Sequence, residues 1–247
     1  MGGLDRYVKI LRLFDGRTSG WTIAAMAETL GIPASTIYRL VRELVAQGFL
    51  DASSDAHYRL GALFIEFDRR VRLTDPLIRL GAPYLDDLLR AAACPAAAVI
   101  ARLYGSDVIC VAESSSHNGR IPTSYERGHP MPLLRGATSK IILAQLPARR
   151  LGKLLQGAAA APEIDLKVLK AELTEIRRRG YCVTRGEVDQ GLVGLSAPVS
   201  SANAAILASM SLVVRTEDLD PSTERRLVMT LVPAARLLSE QLAADAG

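Results

Sequence analysis

The chain has 247 residues, is 49% hydrophobic and carries a net charge of +4. That length can bury one large core, or a small and a medium one, and no run of about 18 uncharged apolar residues reads as a membrane span. Residues 1–60 hold seven Lys/Arg against six Asp/Glu, which excludes a non-specific polycation and leaves nucleic-acid binding to a few placed contacts.

In chain order, LDRYVKILRLF (4–14) puts Tyr7, Ile10, Leu11 and Phe14 on one helical face. TIAAMAETL (22–30) is a second, shorter helix with Thr22 as its N-cap and Ile23, Met26, Ala27 and Leu30 facing inward. A tight turn, Gly31-Ile32-Pro33, leads into ASTIYRLVRELVA, where Ile37, Leu40, Val41, Leu44 and Val45 make an apolar stripe. Pro33 precedes that helix at no hydrogen-bonding cost and Gly48 marks its end. Two helices joined by a short glycine-containing turn form a helix-turn-helix. FLDASSDAHYRL (49–60) then reads as two short strands around Ser53-Ser54-Asp55, a β-wing. Opposite the stripe of the second helix-turn-helix helix lie Ser35, Arg39 and Arg42, with Thr36 and Tyr38 on the flanks. Two arginines and three hydroxyls on one free face fit the edges of base pairs in a major groove, with Thr22 and the wing residues His57 and Arg59 contacting phosphates.

GALFIEFDRRVRL (61–73) continues as a helix with Leu63 or Phe64, Phe67 and Val71 in register and Arg69, Arg70 and Arg72 opposite. It reads as a solvated linker or as a helix paired with its twin in a dimer. Thr74-Asp75-Pro76 interrupts it and sets a domain boundary. An amphipathic helix over 75–92 follows, then a hairpin over 96–113 turning at Tyr104-Gly105-Ser106-Asp107. GHPMPLL (128–134) is a proline-stiffened loop feeding a short helix at 136–146. After a small alanine linker at 158–161 comes a helix at 166–180 whose basic end, Arg177 to Arg179, suits the helix dipole. A strand in YCVTRGEV, a hairpin around Ser200 to Asn203 and a final helix complete the chain. The expected class is therefore α+β: a winged helix-turn-helix at 1–62, a linker helix at 63–75, and an α/β domain with an antiparallel sheet at 76–247.

Cys94, Cys110 and Cys182 are odd in number, far apart and form no CxxC, so each is expected to be a small buried residue in a reducing cytoplasm. His57, His117 and His129 are scattered, no metal cluster is expected, and MGGLDRYVKI has no apolar h-region to read as a secretory signal. No GxSxG, HExxH or Cys/His pair at usable spacing points to catalysis, and no cofactor is expected. The competing readings are a small-molecule enzyme or redox protein, and a winged helix used for protein interaction. The polar face of Ser35, Arg39 and Arg42 argues against the second.

GIPASTIYRLVRELVAQGFL with YRLG, then GHPMPLLRGATSKIILAQLP, RRRGYCVTRGEVDQGLVGLSAPV and ILASMSL, in this order, resemble the IclR family of bacterial transcription regulators over almost the whole chain. The resemblance implies a one-component sensor: a winged helix on operator DNA, coupled to a GAF-like domain that binds a small organic acid. It further implies a homodimer or dimer of dimers controlling a catabolic operon; the family includes both repressors and activators, and repression is the favoured reading here. The acid's carboxylate would rest on the backbone of Ala137 and Thr138, with Ser139, Thr184 and Ser211 orienting it. Apolar walls would come from Met131, Leu133, Ile141 and Met210. The chain departs from the family pattern at Ser139, where a glycine is usual, at Gly194, where a cysteine or polar group is frequent, and at Val213 in place of a serine. These departures imply a roomier, less polar cavity suited to an aromatic acid.

Overall fold

The computed structural model describes residues 3–16, 18, 20–116, 119–158, 165–203 and 205–245. His117, and the alanine linker beyond Ala158, lie outside them. The chain divides into two compact units, Met1–Thr74 and Asp75–Gly247.

In the first unit α1 spans Gly3–Leu11, shorter than the helix expected over 4–14. Beyond Leu11 the chain tightens, with the Phe14 N–H bonded to the Leu11 carbonyl at 3.3 Å, and the Leu13 carbonyl is taken by the Trp21 indole N–H at 2.9 Å. A short strand, β1 (Trp21–Thr22), had no signal in the sequence pattern. Thr22 then caps α2 (Ile23–Leu30), its Oγ1 accepting the Ala25 N–H at 3.2 Å, and Gly31 ends the helix at φ +63°. Helix α3 spans Ala34–Ala46. It closes with the Phe49 N–H on the Leu44 carbonyl at 2.9 Å across Gly48, whose φ of +76° suits glycine alone.

Strands β2 (Leu50–Ala52) and β3 (His57–Leu60) make the wing, in register Leu50↔Leu60, and β1 pairs with β3 on its other side. Asp55 and Ala56 both have positive φ (56° and 58°), the geometry of a type I′ hairpin turn. Ile10, Met26, Ile37, Leu40, Val41, Leu44 and Leu50 are buried together, so the periodic stripes of all three helices meet in one core. Gly61 locks the wing to the end of α3: its N–H bonds the Phe49 carbonyl at 2.8 Å. A Cβ at Gly61 would lie 2.1 Å from the Gly48 carbonyl oxygen. Helix α4 (Leu63–Thr74) buries none of its residues within the unit, apart from Phe64 standing edge-on to Phe49 at 5.7 Å. Ile65, Phe67, Val71 and Leu73 are exposed on it.

The second unit opens with α5 (Pro76–Ala92), capped by Asp75 through the Leu77 N–H at 2.9 Å. Hairpin β4 (Ala96–Tyr104) and β5 (Asp107–Ser115) follows, then a short β6 (Pro130–Met131) within the proline-rich loop. Next come α6 (Ala137–Gln145), α7 (Ala148–Ala158) and α8 (Leu166–Arg179). Strands β7 (Cys182–Arg185), β8 (Leu192–Ser201) and β9 (Ile206–Arg215) complete the sheet, and α9 (Pro221–Asp245) ends the chain.

The six strands run antiparallel in the order β6-β5-β4-β9-β8-β7. Their alternation sends residues to two separate cores. One holds Leu77, Leu85, Ile100, Leu195, Met210, Leu231 and Leu238, under α5 and α9. The other holds Val99, Met131, Ile141, Leu143, Leu173 and Val213, under α6 and α8. Helix α9 is long and apolar enough by length and composition to cross a membrane. Its buried residues Leu227, Leu231, Ala235, Leu238 and Leu242 nevertheless form a stripe of helical spacing packed on the sheet. Arg177 does more than suit a helix dipole: its guanidinium caps the Ala144 carbonyl and the Leu146 carbonyl, the latter at 2.7 Å, while Arg178 and Arg179 pair with Glu175.

The contact at Gly61 sets a test. Gly61→Ala forces its new methyl onto a backbone oxygen and should destabilise the first unit by about 2 kcal/mol, as overpacking does. Urea unfolding followed by Trp21 fluorescence measures this, and an unchanged midpoint would contradict the close approach.

Candidate DNA-reading face and effector cavity

The core stripe of α3 leaves Ser35, Tyr38, Arg39 and Arg42 exposed on the opposite side, with Thr36 half-buried at the flank. Arg39 donates to Glu43 at 3.1 Å one turn on, and Glu43 also accepts the Tyr7 hydroxyl. An exposed i,i+4 pair is weak, so the guanidinium can be released to a stronger acceptor at little cost. His57 is half-buried with Nδ1 2.9 Å from the Asp55 carbonyl, held against its own turn. Arg59 is exposed on β3, across the strand pair from Asp51. The Thr22 oxygen is engaged in its cap, which leaves its hydroxyl proton to offer a phosphate.

The second site forms where the first turn of α6 is pressed onto the sheet. Gly136 precedes it at φ +82°, and a Cβ there would come within 2.7 Å of both the Tyr125 hydroxyl and Val188 Cγ2. The first intrahelical bond is Lys140 N–H to the Gly136 carbonyl at 3.0 Å, so the N–H groups of Ala137, Thr138 and Ser139 have no helical acceptor. Ala137 N–H donates to Thr184 Oγ1 at 2.9 Å, and Gly136 N–H to Glu187 at 2.9 Å. Thr138 Oγ1 reaches Ser211 Oγ at 3.1 Å, and Ser211 lies 2.6 Å from Ser196 Oγ. All three hydroxyl residues are buried. Thr184, Gly194 and Val213 are neighbours across β7, β8 and β9.

The expected residues are thus largely brought together. Ala137, Thr138, Thr184, Gly194 and Ser211 share one locus, and Met131, Leu133 and Ile141 belong to the core on the same face of the sheet. Three expectations are corrected. Met210 cannot be a wall: adjacent residues of a strand point to opposite faces, and Met210 packs with Ile100 in the core on the other side while Ser211 faces α6. Ser139 turns to the Pro132 carbonyl at 2.7 Å and holds the β6 loop. The cavity is not roomy either. The space beside the α6 amino end, lined by Tyr125, Thr184, Val188, Leu192, Gly194 and Val213, is about 10 Å³, room for roughly one water, and Tyr125 and Val188 pack against Gly136.

Tyr125, Glu187, Val188, Asp189 and Leu192 line the cavity and were not anticipated. Glu187 and Asp189 fall within the quoted motif RGEVDQG, so acids in a tight turn were the available signal. Tyr125 sits in a loop without periodicity and had none. Lys140, 7% exposed, bonds Glu187 at 2.7 Å and Glu172 at 2.8 Å, fastening α6 to α8 and to the β7–β8 loop. Burial alone would lower its pKa, but its hydrogen bonds to the two carboxylates outweigh that and raise it.

A winged helix with an exposed basic face, in a chain that also folds a sheet over a sequestered helix amino end, defines a DNA-binding regulator with a small-molecule domain. The comparisons agree. Residues 74–240 match the family model for the bacterial transcriptional regulator IclR C-terminal domain, and residues 3–53 match the IclR helix-turn-helix domain. The chain belongs to the IclR family of DNA-binding transcription regulators. The Pca regulon regulatory protein of Pseudomonas putida is 26% identical to it, over 98% of this chain and 84% of that protein. Two crystal structures share the fold. An IclR family transcriptional regulator from Brucella abortus aligns with a TM-score of 0.80 at 18% identity, covering 96% of this chain and 91% of that one. An IclR homologue from Microbacterium hydrocarbonoxydans, complexed with 4-hydroxybenzoate, aligns with a TM-score of 0.77 at 20% identity, covering 98% and 99%.

Burial predicts an alkaline weakness of this unit. The thiols of Cys110 and Cys182 and the phenol of Tyr125 are each pushed up to about 12 by burial, from ordinary values of 9.0 and 10.0. Each group's folded pKa exceeds its unfolded one, so its contribution is fully present below pH 9–10 and is lost as pH rises towards 12. The melting temperature of the second unit should fall between pH 8 and pH 10.5. Native Cys94, partly exposed, should react with a thiol reagent at pH 8 before Cys110 or Cys182. A flat pH profile, or equal labelling of all three, would contradict this.

Proposed function

We propose that this protein represses a catabolic operon and that a small aromatic acid acts as its effector. The observation that carries the effector reading is the sequestered amino end of α6, where the Thr138 and Ser139 N–H groups precede the first helical bond beside the Thr138 and Ser211 hydroxyls. A helix amino end offers unpaired donors and a positive partial charge, so a carboxylate needs no arginine there. The choice of an aromatic acid is supported by the 4-hydroxybenzoate bound to the Microbacterium hydrocarbonoxydans homologue and by the relative named for the Pca regulon. Titrating 4-hydroxybenzoate onto the complex of the protein with its upstream DNA tests the reading directly. Release of DNA supports it, tighter binding reverses the sign of regulation, and no change excludes this acid. Thr138→Pro removes one donor and should abolish the response while leaving ligand-free DNA binding intact.

On the DNA side, Ser35, Thr36, Tyr38, Arg39 and Arg42 read base edges in the major groove while Thr22, His57 and Arg59 contact phosphates, all within the cytoplasm. A bidentate arginine contact with guanine is worth roughly 1–3 kcal/mol of discrimination. Arg39→Ala should weaken binding to the specific site about tenfold or more and leave non-specific binding nearly unchanged, by fluorescence anisotropy at fixed salt. Equal affinity for the specific site would remove Arg39 from the reading set.

One winged helix reads only a half-site, so the working species is a homodimer or a dimer of dimers. The exposed Phe67 and Val71 of α4, one turn apart on one face, supply an apolar strip for a twin helix. Val71→Glu should shift the mass in light scattering towards the monomer and cut operator affinity at least tenfold. A wild-type protein that is monomeric at micromolar concentration and still protects a palindrome would refute this assembly.

A further inference from the structure

We infer that Tyr125 is the resident occupant of the effector cavity, and that an effector binds by displacing its ring from the amino end of α6. The inference deepens the effector reading above and rests on it.

Tyr125 lies in a loop, yet only 5% of it is exposed. Its ring belongs to the same core as Met131, Leu133 and Ile141. The phenol oxygen approaches Gly136 so closely that only glycine fits there. The ring therefore occupies the ground an aromatic ligand needs, and with it in place the cavity has space for roughly one water. No aromatic acid enters without moving it.

The loop is built for such a movement. Its leading part is held by a single carboxylate: Asp189 accepts the Thr123 hydroxyl at 3.0 Å, the Ser124 N–H at 2.9 Å and the Ser124 hydroxyl. Its far part is anchored to β5, through Arg127 Nε on the Val111 carbonyl at 2.6 Å and Gly128 N–H on the Cys110 carbonyl at 2.8 Å. Tyr125 lies between the two. The bonds from Ser124 to Asp189 are at the surface, where water can replace them, whereas the ring is buried. Breaking the surface bonds frees the ring, and the anchor keeps the loop attached.

Charge gives the ligand its advantage. Tyr125 is a neutral phenol throughout the physiological range, set against the positive end of a helix. A carboxylate satisfies the same donors with a full negative charge. The space vacated has the shape of p-cresol, so the class favoured is a single-ring aryl acid of that size rather than a two- or three-carbon acid.

Calorimetric titration of the full chain with 4-hydroxybenzoate and with p-cresol tests this, using wild type, Tyr125→Ala, Tyr125→Phe and Asp189→Ala. Without its competitor ring, Tyr125→Ala should bind 4-hydroxybenzoate at least tenfold more tightly than wild type. It should also bind p-cresol, which raises its melting temperature towards the wild-type value. Asp189→Ala, with the ring intact but untied, should bind the acid several-fold more tightly, and Tyr125→Phe should lie between wild type and Tyr125→Ala. A folded Tyr125→Ala that binds the acid no better than wild type and ignores p-cresol overturns the inference. If Tyr125→Ala does not fold, the other two variants decide, and wild-type affinity in both overturns it. The effector reading fails separately: tighter acid binding by the variants, with no effect of acid on operator affinity, leaves the displacement of Tyr125 standing and removes the regulatory role.

Discussion

The first turn of α6 is pressed against a sheet, with Ala137, Thr138 and Ser139 all buried, and a polar group buried without a partner costs on the order of 1–3 kcal/mol. The Gly136 and Ala137 N–H groups and the Thr138 hydroxyl are answered by other parts of the chain, while the Thr138 and Ser139 N–H groups have no helical acceptor. Thr184 from β7, Glu187 from the following turn and Ser211 from β9 supply those partners, and the phenol of Tyr125 packs against Gly136. One turn of helix thereby gathers strands and loops far apart in sequence around a single point. A donor-rich point closed by the protein's own side chains can exchange those partners for a ligand's.

The acids near this site have work within the protein. Glu187 is held by Lys140 and the Gly136 N–H, and Asp189 by the 123–124 loop. They tie loops to α6 and to each other, with Glu187 sharing the Lys140 ammonium with Glu172 and Asp189 accepting from neutral donors of Thr123 and Ser124. A ligand that enters the cavity disturbs these same ties. Its binding energy can then favour one arrangement of the domain over another, which any effect on DNA requires, since equal affinity for both would shift nothing.

The head is governed by a simpler rule. Three short helices share one small core, so each buries a single stripe and leaves the opposite face free. In α3 that free face carries Ser35, Tyr38, Arg39 and Arg42. The wing is fastened to the end of α3 at Gly61, where no side chain fits, and this close approach fixes the position of Arg59 relative to α3.

Periodicity and caps lay openly in the sequence: Thr22 and Gly31 around α2, the stripe from Ile37 to Val45, the hairpin turn at Gly105, the stop at Gly180. Each is decided within a few residues by backbone geometry and by one apolar face, whereas the grouping of Ala137 and Thr138 with Thr184 and Ser211 joins distant segments and was implied only by the resemblance to the family. β1 was not legible, because two residues form a strand only when β3 lies beside them. The assignment of Met210 failed because a position adjacent to Ser211 in sequence lies on the opposite face of β9. Nothing in the sequence near Tyr125 marks a buried ring. Its place depends on Asp189, 64 residues further on, holding the loop, and on the glycine at 136 leaving space for the phenol. The sequence by itself determined the local elements and the free polar face of α3, since short-range sterics and periodicity suffice for them. Only the tertiary structure decided what fills the cavity, because that follows from contacts between segments whose separation in the chain carries no local signal.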